Sequence, residues 1–212
     1  MTDEALTVRP PVARRVLALV TTSHPGPSLA IAVMTALLAA QAAPHGTRPL
    51  LAAVPMLAGQ LSVGWSNDAF DAGRDAAAGR TDKPLATGAI SARAVWTAAL
   101  VGLGTHFANV LPDLDADRGT GVRGLPQQVA ARWGSRAVRA VALVLLLTAS
   151  VLMVLTARPE RRWVAIAGLG VSVVVAAIGA RGSGKVPFVS AIAIAAIDAV
   201  LVAAGVVPIQ RP

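Results

Sequence analysis

Seven of the eleven acidic residues in the chain fall in two short stretches. The first runs Asn67-Asp68-Ala69-Phe70-Asp71-Ala72-Gly73-Arg74-Asp75 and continues to Arg80-Thr81-Asp82-Lys83-Pro84-Leu85. The second runs Asp113-Leu114-Asp115-Ala116-Asp117 and continues to Arg123-Gly124-Leu125-Pro126. Positions 67, 71 and 75 recur every four residues, as do 113 and 117, so on a helix each set lines one face. Like charges at that spacing repel, and an unliganded helix gains nothing from them. A divalent cation reverses the sign of that effect. Mg2+ prefers oxygen ligands, keeps several waters and typically bridges one or two carboxylates to phosphate groups. Two facing carboxylate sets would therefore suit a metal-complexed diphosphate, with Arg80, Lys83 and Arg123 close enough in sequence to contact its remaining oxygens. A single acidic stretch would read equally well as a solvated loop. Two stretches with the same spacing, each followed by a base and then proline, favour a site.

The elements that must carry these residues are apolar helices. Of 212 residues, 55% are hydrophobic and 14% charged, with a mean hydropathy of +0.63. A water-soluble domain carries about a quarter charged residues. The apolar mass is mainly Ala, Val and Leu, with no Tyr, three Phe and four Trp, and small residues suit closely packed membrane helices. Spanning a bilayer takes about 20 predominantly apolar residues. Candidate spans lie at 27–43, 49–66, 86–111, 136–157, 163–180 and 186–208, with 10–22 as a shorter amphipathic lead-in at the interface. The expected architecture is an all-α, polytopic transmembrane bundle of about six spans, one domain over 1–212 with residues 1–26 leading into it. Arg9, Arg14 and Arg15 before an apolar stretch mimic a signal peptide, but Ser23-His24-Pro25-Gly26-Pro27 interrupts it, so an uncleaved first helix is the better reading. The net charge of +8 and pI near 11.6 come from bases scattered between apolar runs. That pattern fits loops at a lipid surface and not a nucleic-acid patch. The absence of Cys excludes disulfides and thiolate metal sites.

The first acidic stretch resembles the UbiA-type family of intramembrane prenyltransferases. That family's first motif reads N-D-x-x-D-x-x-x-D followed by R-x-D-[RK]-P-[LI], and Asn67, Asp68, Asp71, Asp75, Arg80, Asp82, Lys83, Pro84 and Leu85 match it in register. The following Ala86-Thr87-Gly88-Ala89-Ile90-Ser91 is similar to the family as well. Its second motif, D-x-x-D-x-x-x-D with a G-x-x-x-L-P tail, is matched by Asp113, Asp117, Gly121, Leu125 and Pro126, with Val110 in place of the leading Asp. The resemblance implies nine transmembrane helices around a lipid-facing cavity. It also implies transfer of a prenyl chain from a polyprenyl diphosphate to a lipophilic, often aromatic, acceptor. Asn67, Asp71, Asp75, Asp113 and Asp117 would bind Mg2+, while Arg80, Lys83 and Arg123 would steady the diphosphate. Asp68, Asp82 and Asp198 are further candidates. The implied location is a bacterial plasma membrane with the acidic loops cytoplasmic.

The chain departs from the family in length. Family members place four helices between the two motifs, whereas residues 86 to 112 leave room for one. A single crossing would put the acidic stretches on opposite sides of the bilayer. The positive-inside rule instead favours both on the cytoplasmic side, an arrangement that puts most of the nineteen Lys and Arg there. Two further readings stand beside the transferase: a catalytically inactive remnant of the family that has lost a middle block, and a small transporter or channel using Asp198 and the acidic loops as a cation path. Asp198 lies inside the last apolar run, where an ionisable group is costly and usually functional. His24 and His106 read as packing or interfacial residues, and Gly59, Gly64, Gly102 and Gly104 as helix-packing positions.

Overall fold

A computed structural model describes residues 12–42, 48–114 and 124–207. The described residues form eight α-helices and one short 3-10 turn, with no strand among them. Helix α1 covers Val12–Thr22 and α2 Pro25–Ala42. Helix α3 runs over Arg48–Ala77 and α4 over Ala92–Val110. The short α5 is Leu125–Trp133 and leads into α6, Ser135–Thr156. The 3-10 turn at Pro159–Arg161 precedes α7, Arg162–Arg181, and α8 covers Val186–Ala203.

Three helices are long and apolar enough to cross a membrane: α6, α7 with its preceding turn, and α8. A fourth crossing arises if the bent pair of α1 and α2, which meet at 73°, counts as one span. Six spans are therefore not reached on length and composition among the described residues. Polar side chains interrupt the other two candidates. Helix α3 carries Gln60, Ser62 and Ser66 before its acidic end, and α4 carries Thr97, Thr105, His106 and Asn109. Several of these hydroxyls bond back to carbonyls of their own helix, as Ser66 does to Ser62 O and Thr105 to Val101 O. Ser62 instead donates to Ala99 O across the α3–α4 contact at 2.7 Å.

The bundle core divides into two clusters, and this division positions the site. One contains Leu85, Ile90, Val95, Met153, Ala165, Leu201 and Val206, with Trp65, Ala69 and Ala72 packed against it. The other contains Phe107, Leu114, Ala130, Val138, Leu146, Ala176 and Ile194. Each gathers the ends of alternating helices, as an up-and-down bundle requires. The glycines read as packing positions sit at close contacts. A Cβ on Gly59 would lie 3.0 Å from His106 Nδ1, one on Gly102 3.0 Å from Ala58 O, and one on Gly104 2.7 Å from Leu146 Cγ.

Candidate functional site

Helix α3 does not stop at residue 66 but continues through the acidic stretch to Ala77, so its carboxylates have the helical spacing that the sequence suggested. The face turned inward is a different one. Asp68 and Asp75 are buried, Asp71 is half-buried and Asn67 is exposed. Ala69 and Ala72 pack against the first core cluster, and that packing fixes the rotation of the helix and carries Asp68 in with it. Gly79, at φ +67°, ends the helix in the left-handed conformation that glycine adopts without a steric penalty. The loop then folds back: Arg80 N–H donates to Asp75 O at 3.0 Å and Ile90 N–H to Pro84 O at 3.3 Å. Leu85 and Ile90 anchor it, exposed by only 5% and 1%.

This return brings Lys83 onto Asp68. Lys83 Nζ lies 2.6 Å from Asp68 Oδ1, and His24 Nε2 lies 2.9 Å from the same oxygen and 3.1 Å from Nζ. Asp68 Oδ2 is buried without a hydrogen-bond partner among the described residues. His24 reaches this position from the break between α1 and α2, where its own φ is +53°. The break is pressed on α3 at Gly64, where a Cβ would come within 2.2 Å of Ser23 O. Trp65 Nε1–H donates to Leu19 O at 2.8 Å and ties α1 to the same turn of α3. The reading of His24 as a packing residue missed this contact; only its place beside Pro25 at a break in an apolar run hinted at it.

The remaining charges at this end pair locally. Arg80 holds Asp82 through two hydrogen bonds, 2.8 Å from Nε to Oδ1 and 2.6 Å from Nη2 to Oδ2. Those bonds, reinforced by the guanidinium charge, hold the Asp82 carboxyl down to about 2 and push the Arg80 guanidinium further up. Arg74 pairs with Asp71 at 2.7 Å. Along α3, away from these charges, an apolar cavity of about 300 Å³ opens between α1, α3, α4 and α8, lined by Leu19, Leu61, Trp65, Val101 and Val202 among others.

The second acidic stretch lies elsewhere. Helices α3 and α4 pack antiparallel: Phe70 stacks edge-on against Trp96 with ring centroids 4.9 Å apart, and Gly59 meets His106. Asp113 follows α4 by one turn at its far end, beside Leu114 of the second core cluster. It is exposed, and 17 residues at 1.5 Å each put it about 25 Å along the bundle from the level of Asp71. Helix α4, 19 residues against the 30 of α3, thus carries the two acidic stretches to different levels of the bundle. Asp115, Asp117 and Arg123 lie outside the described residues. Asp198 belongs to neither group; it is buried within α8 and bonded to Ser150.

No group of three or more His, Cys, Asp or Glu among the described residues is arranged to hold a metal ion. Asp68 is already neutralised by Lys83, Asp71 by Arg74, and Asp113 is a helix length away. Among the described residues, the carboxylates of the two motifs therefore do not converge on one metal position. No family model, curated protein or solved structure matches the chain.

Proposed function

We propose that this chain is a membrane-embedded binding protein for a polyprenyl diphosphate, descended from prenyltransferases of the type its first motif resembles, and that it does not itself transfer the chain. The observation that carries this reading is the antiparallel packing of α3 and α4, which separates Asp113 from Asp71 by about 25 Å. Transfer through a shared metal cluster needs both acid sets on one diphosphate. Binding needs only one end. There, Arg80 and Lys83, paired in the unliganded chain with Asp82 and Asp68, would exchange those partners for phosphate oxygens, and the cavity beside Trp65 and Leu61 suits the first isoprene units of the chain.

In this reading α2, α3 and α4 cross the bilayer with α6, α7 and α8, giving six spans. Most of the polar side chains that interrupt α3 and α4 bond to backbone carbonyls of these two helices, which lowers the cost of placing them in a membrane. The α3 end faces the cytoplasm of a bacterial plasma membrane, with Arg74, Arg80, Lys83 and Arg93 on that side. Mg2+ would enter only with the ligand, bridging its phosphates to one or two carboxylates. The full transferase, acting on a lipophilic acceptor, is the second reading; the apolar cavity favours it, because a water-excluding chamber protects an allylic cation.

The test uses the full chain in detergent with geranyl diphosphate and Mg2+. Saturable quenching of Trp fluorescence, weakened at least tenfold in Lys83→Ala, and no release of diphosphate are the expected results. Absence of saturable binding would overturn the binding reading. Mg2+-dependent diphosphate release that is lost in both Asp71→Asn and Asp113→Asn would establish the transferase instead.

A further inference from the structure

A carboxylate that the head-group cluster does not use is shut inside the bundle. Asp198 on α8 is fully buried, and Ser150 on α6 donates its Oγ–H to Oδ1 at 2.7 Å. Asp198 Oδ2 has no hydrogen-bond partner among the described residues. The same holds for Ser172 Oγ on α7, in a residue that is also fully buried.

The packing brings these oxygens to one level. On α7, Gly168 lies against Ile197 and Leu201, and Gly179 lies against Ser190, so α7 and α8 run antiparallel and Ser172 comes level with Ile197 and Asp198. Ser172 shares the face of Gly168, Ala176 and Gly179, at helical spacing. Ala176 belongs to the same cluster as Ala191, Ile194 and Ala195 of α8, so this face is the one turned to α8. Helix register thus puts two hydroxyls and a carboxyl from three helices at one level of an apolar interior.

Leaving such groups unmatched is costly. A buried donor or acceptor without a partner costs about 1–3 kcal/mol, and an ionisable group within a membrane bundle is expensive unless it is paired. No ion pair reaches Asp198 among the described residues. One negative charge with hydroxyl oxygens is a hard-oxygen set that repels anions. A divalent ion would leave a net positive charge in the apolar interior and asks for six or more oxygens if it is Ca2+. A single positive charge balances the set.

We propose that Asp198 Oδ2, Ser150 Oγ and Ser172 Oγ form an intramembrane site for one monovalent cation of the Na+ class. The site lies five residues from the C-terminal end of α8, about 8 Å in depth. That end is where Arg158 N–H bonds Val206 O. No residue is shared with the Asp68 cluster, so the two sites stand or fall separately.

The experiment measures the unfolding temperature of the purified full chain in NaCl and in choline chloride at matched ionic strength. The expected result is a saturable rise with NaCl alone, abolished in Asp198→Asn. Ser172→Ala should raise the half-saturating Na+ concentration about tenfold, as loss of about 1.4 kcal/mol of contact would. Equal unfolding temperatures in the two salts overturn the proposal, as does a Na+ dependence that persists in Asp198→Asn. Should that variant not fold, half-saturation unchanged in both Ser172→Ala and Ser150→Ala overturns it equally.

Discussion

Lys83 Nζ sits 2.6 Å from Asp68 Oδ1, joining residues fifteen positions apart at the end of α3. The pair is shielded, with side chains exposed by 16% for Lys83 and 3% for Asp68. Removing one partner of a buried pair costs about 3–5 kcal/mol because the other is left uncompensated. His24 remains beside Asp68 in Lys83→Met and softens the loss, so that variant should fall at the lower end, about 3 kcal/mol. Lys83→Met combined with Asp68→Asn should recover part of it. Thermal unfolding of the two variants checks this, and a double variant no more stable than Lys83→Met removes the pair as an energetic unit.

Gly64 is where the break between α1 and α2 meets α3. A Cβ there would lie 2.2 Å from Ser23 O, a backbone atom that cannot rotate away. Gly64→Ala should therefore lift the break off α3, lengthen the contact of His24 with Asp68, and destabilise the chain by about 2 kcal/mol or more, in the range of overpacking changes. Gly73 lies on the same helix with nothing within 4 Å of a built Cβ. Gly73→Ala should instead stabilise by up to about 1 kcal/mol through helix propensity alone. Opposite signs from one chemical change on one helix would separate close approach from propensity, and equal signs would refute the docking.

At Asp82 the expectation concerns pH. Its carboxyl is held down to about 2 by the hydrogen bonds from Arg80 and then by that residue's charge. A depressed folded-state value means that the pairing is fully present above the ordinary aspartate value of about 3.9 and is lost as pH falls through about 2. Both groups lie at the surface, so the effect on global stability is small. Carbon-13 NMR of the Asp82 carboxyl should show a midpoint near 2, and Arg80→Ala should return it to about 3.9. An unchanged midpoint in that variant would remove Arg80 as the cause.

The α3 motif was legible because its spacing is local: residues four apart share a helix face wherever the helix goes, and α3 does run through them. The rotation of that helix was not. It depends on Ala69 and Ala72 packing against Leu85, Ile90 and Val95, which turns Asp68 inward and Asn67 outward. Nor could His24 be matched to Asp68, since 44 residues separate them and only the break at Pro25 brings them together. Five of the six apolar runs correspond to helices within a few residues at most boundaries, and the run at 49–66 is the start of a longer one. The short α5 has little apolar periodicity and went unseen. The distance of Asp113 from Asp71 was not legible either, because it depends on α4 packing antiparallel to α3, with Phe70 against Trp96 and Gly59 against His106.

The separation of Asp71 from Asp113 is the relationship on which the choice between binding and transfer turns. Antiparallel packing, fixed by Phe70 against Trp96 and Gly59 against His106, puts the two residues about 25 Å apart along the bundle. Spin labels on Asp71→Cys and Asp113→Cys, in a chain with no native cysteine, should report a distance distribution centred between about 20 and 35 Å once label arms are included. In sealed vesicles, a charged thiol reagent should label one of these cysteines from outside and the other only after the membrane is opened. Labelling of both from the same side would show that α4 does not cross the membrane. A label distance near 10 Å would return the two carboxylates to one ligand; transfer would then regain its geometric basis, and the α3–α4 packing described above would be wrong.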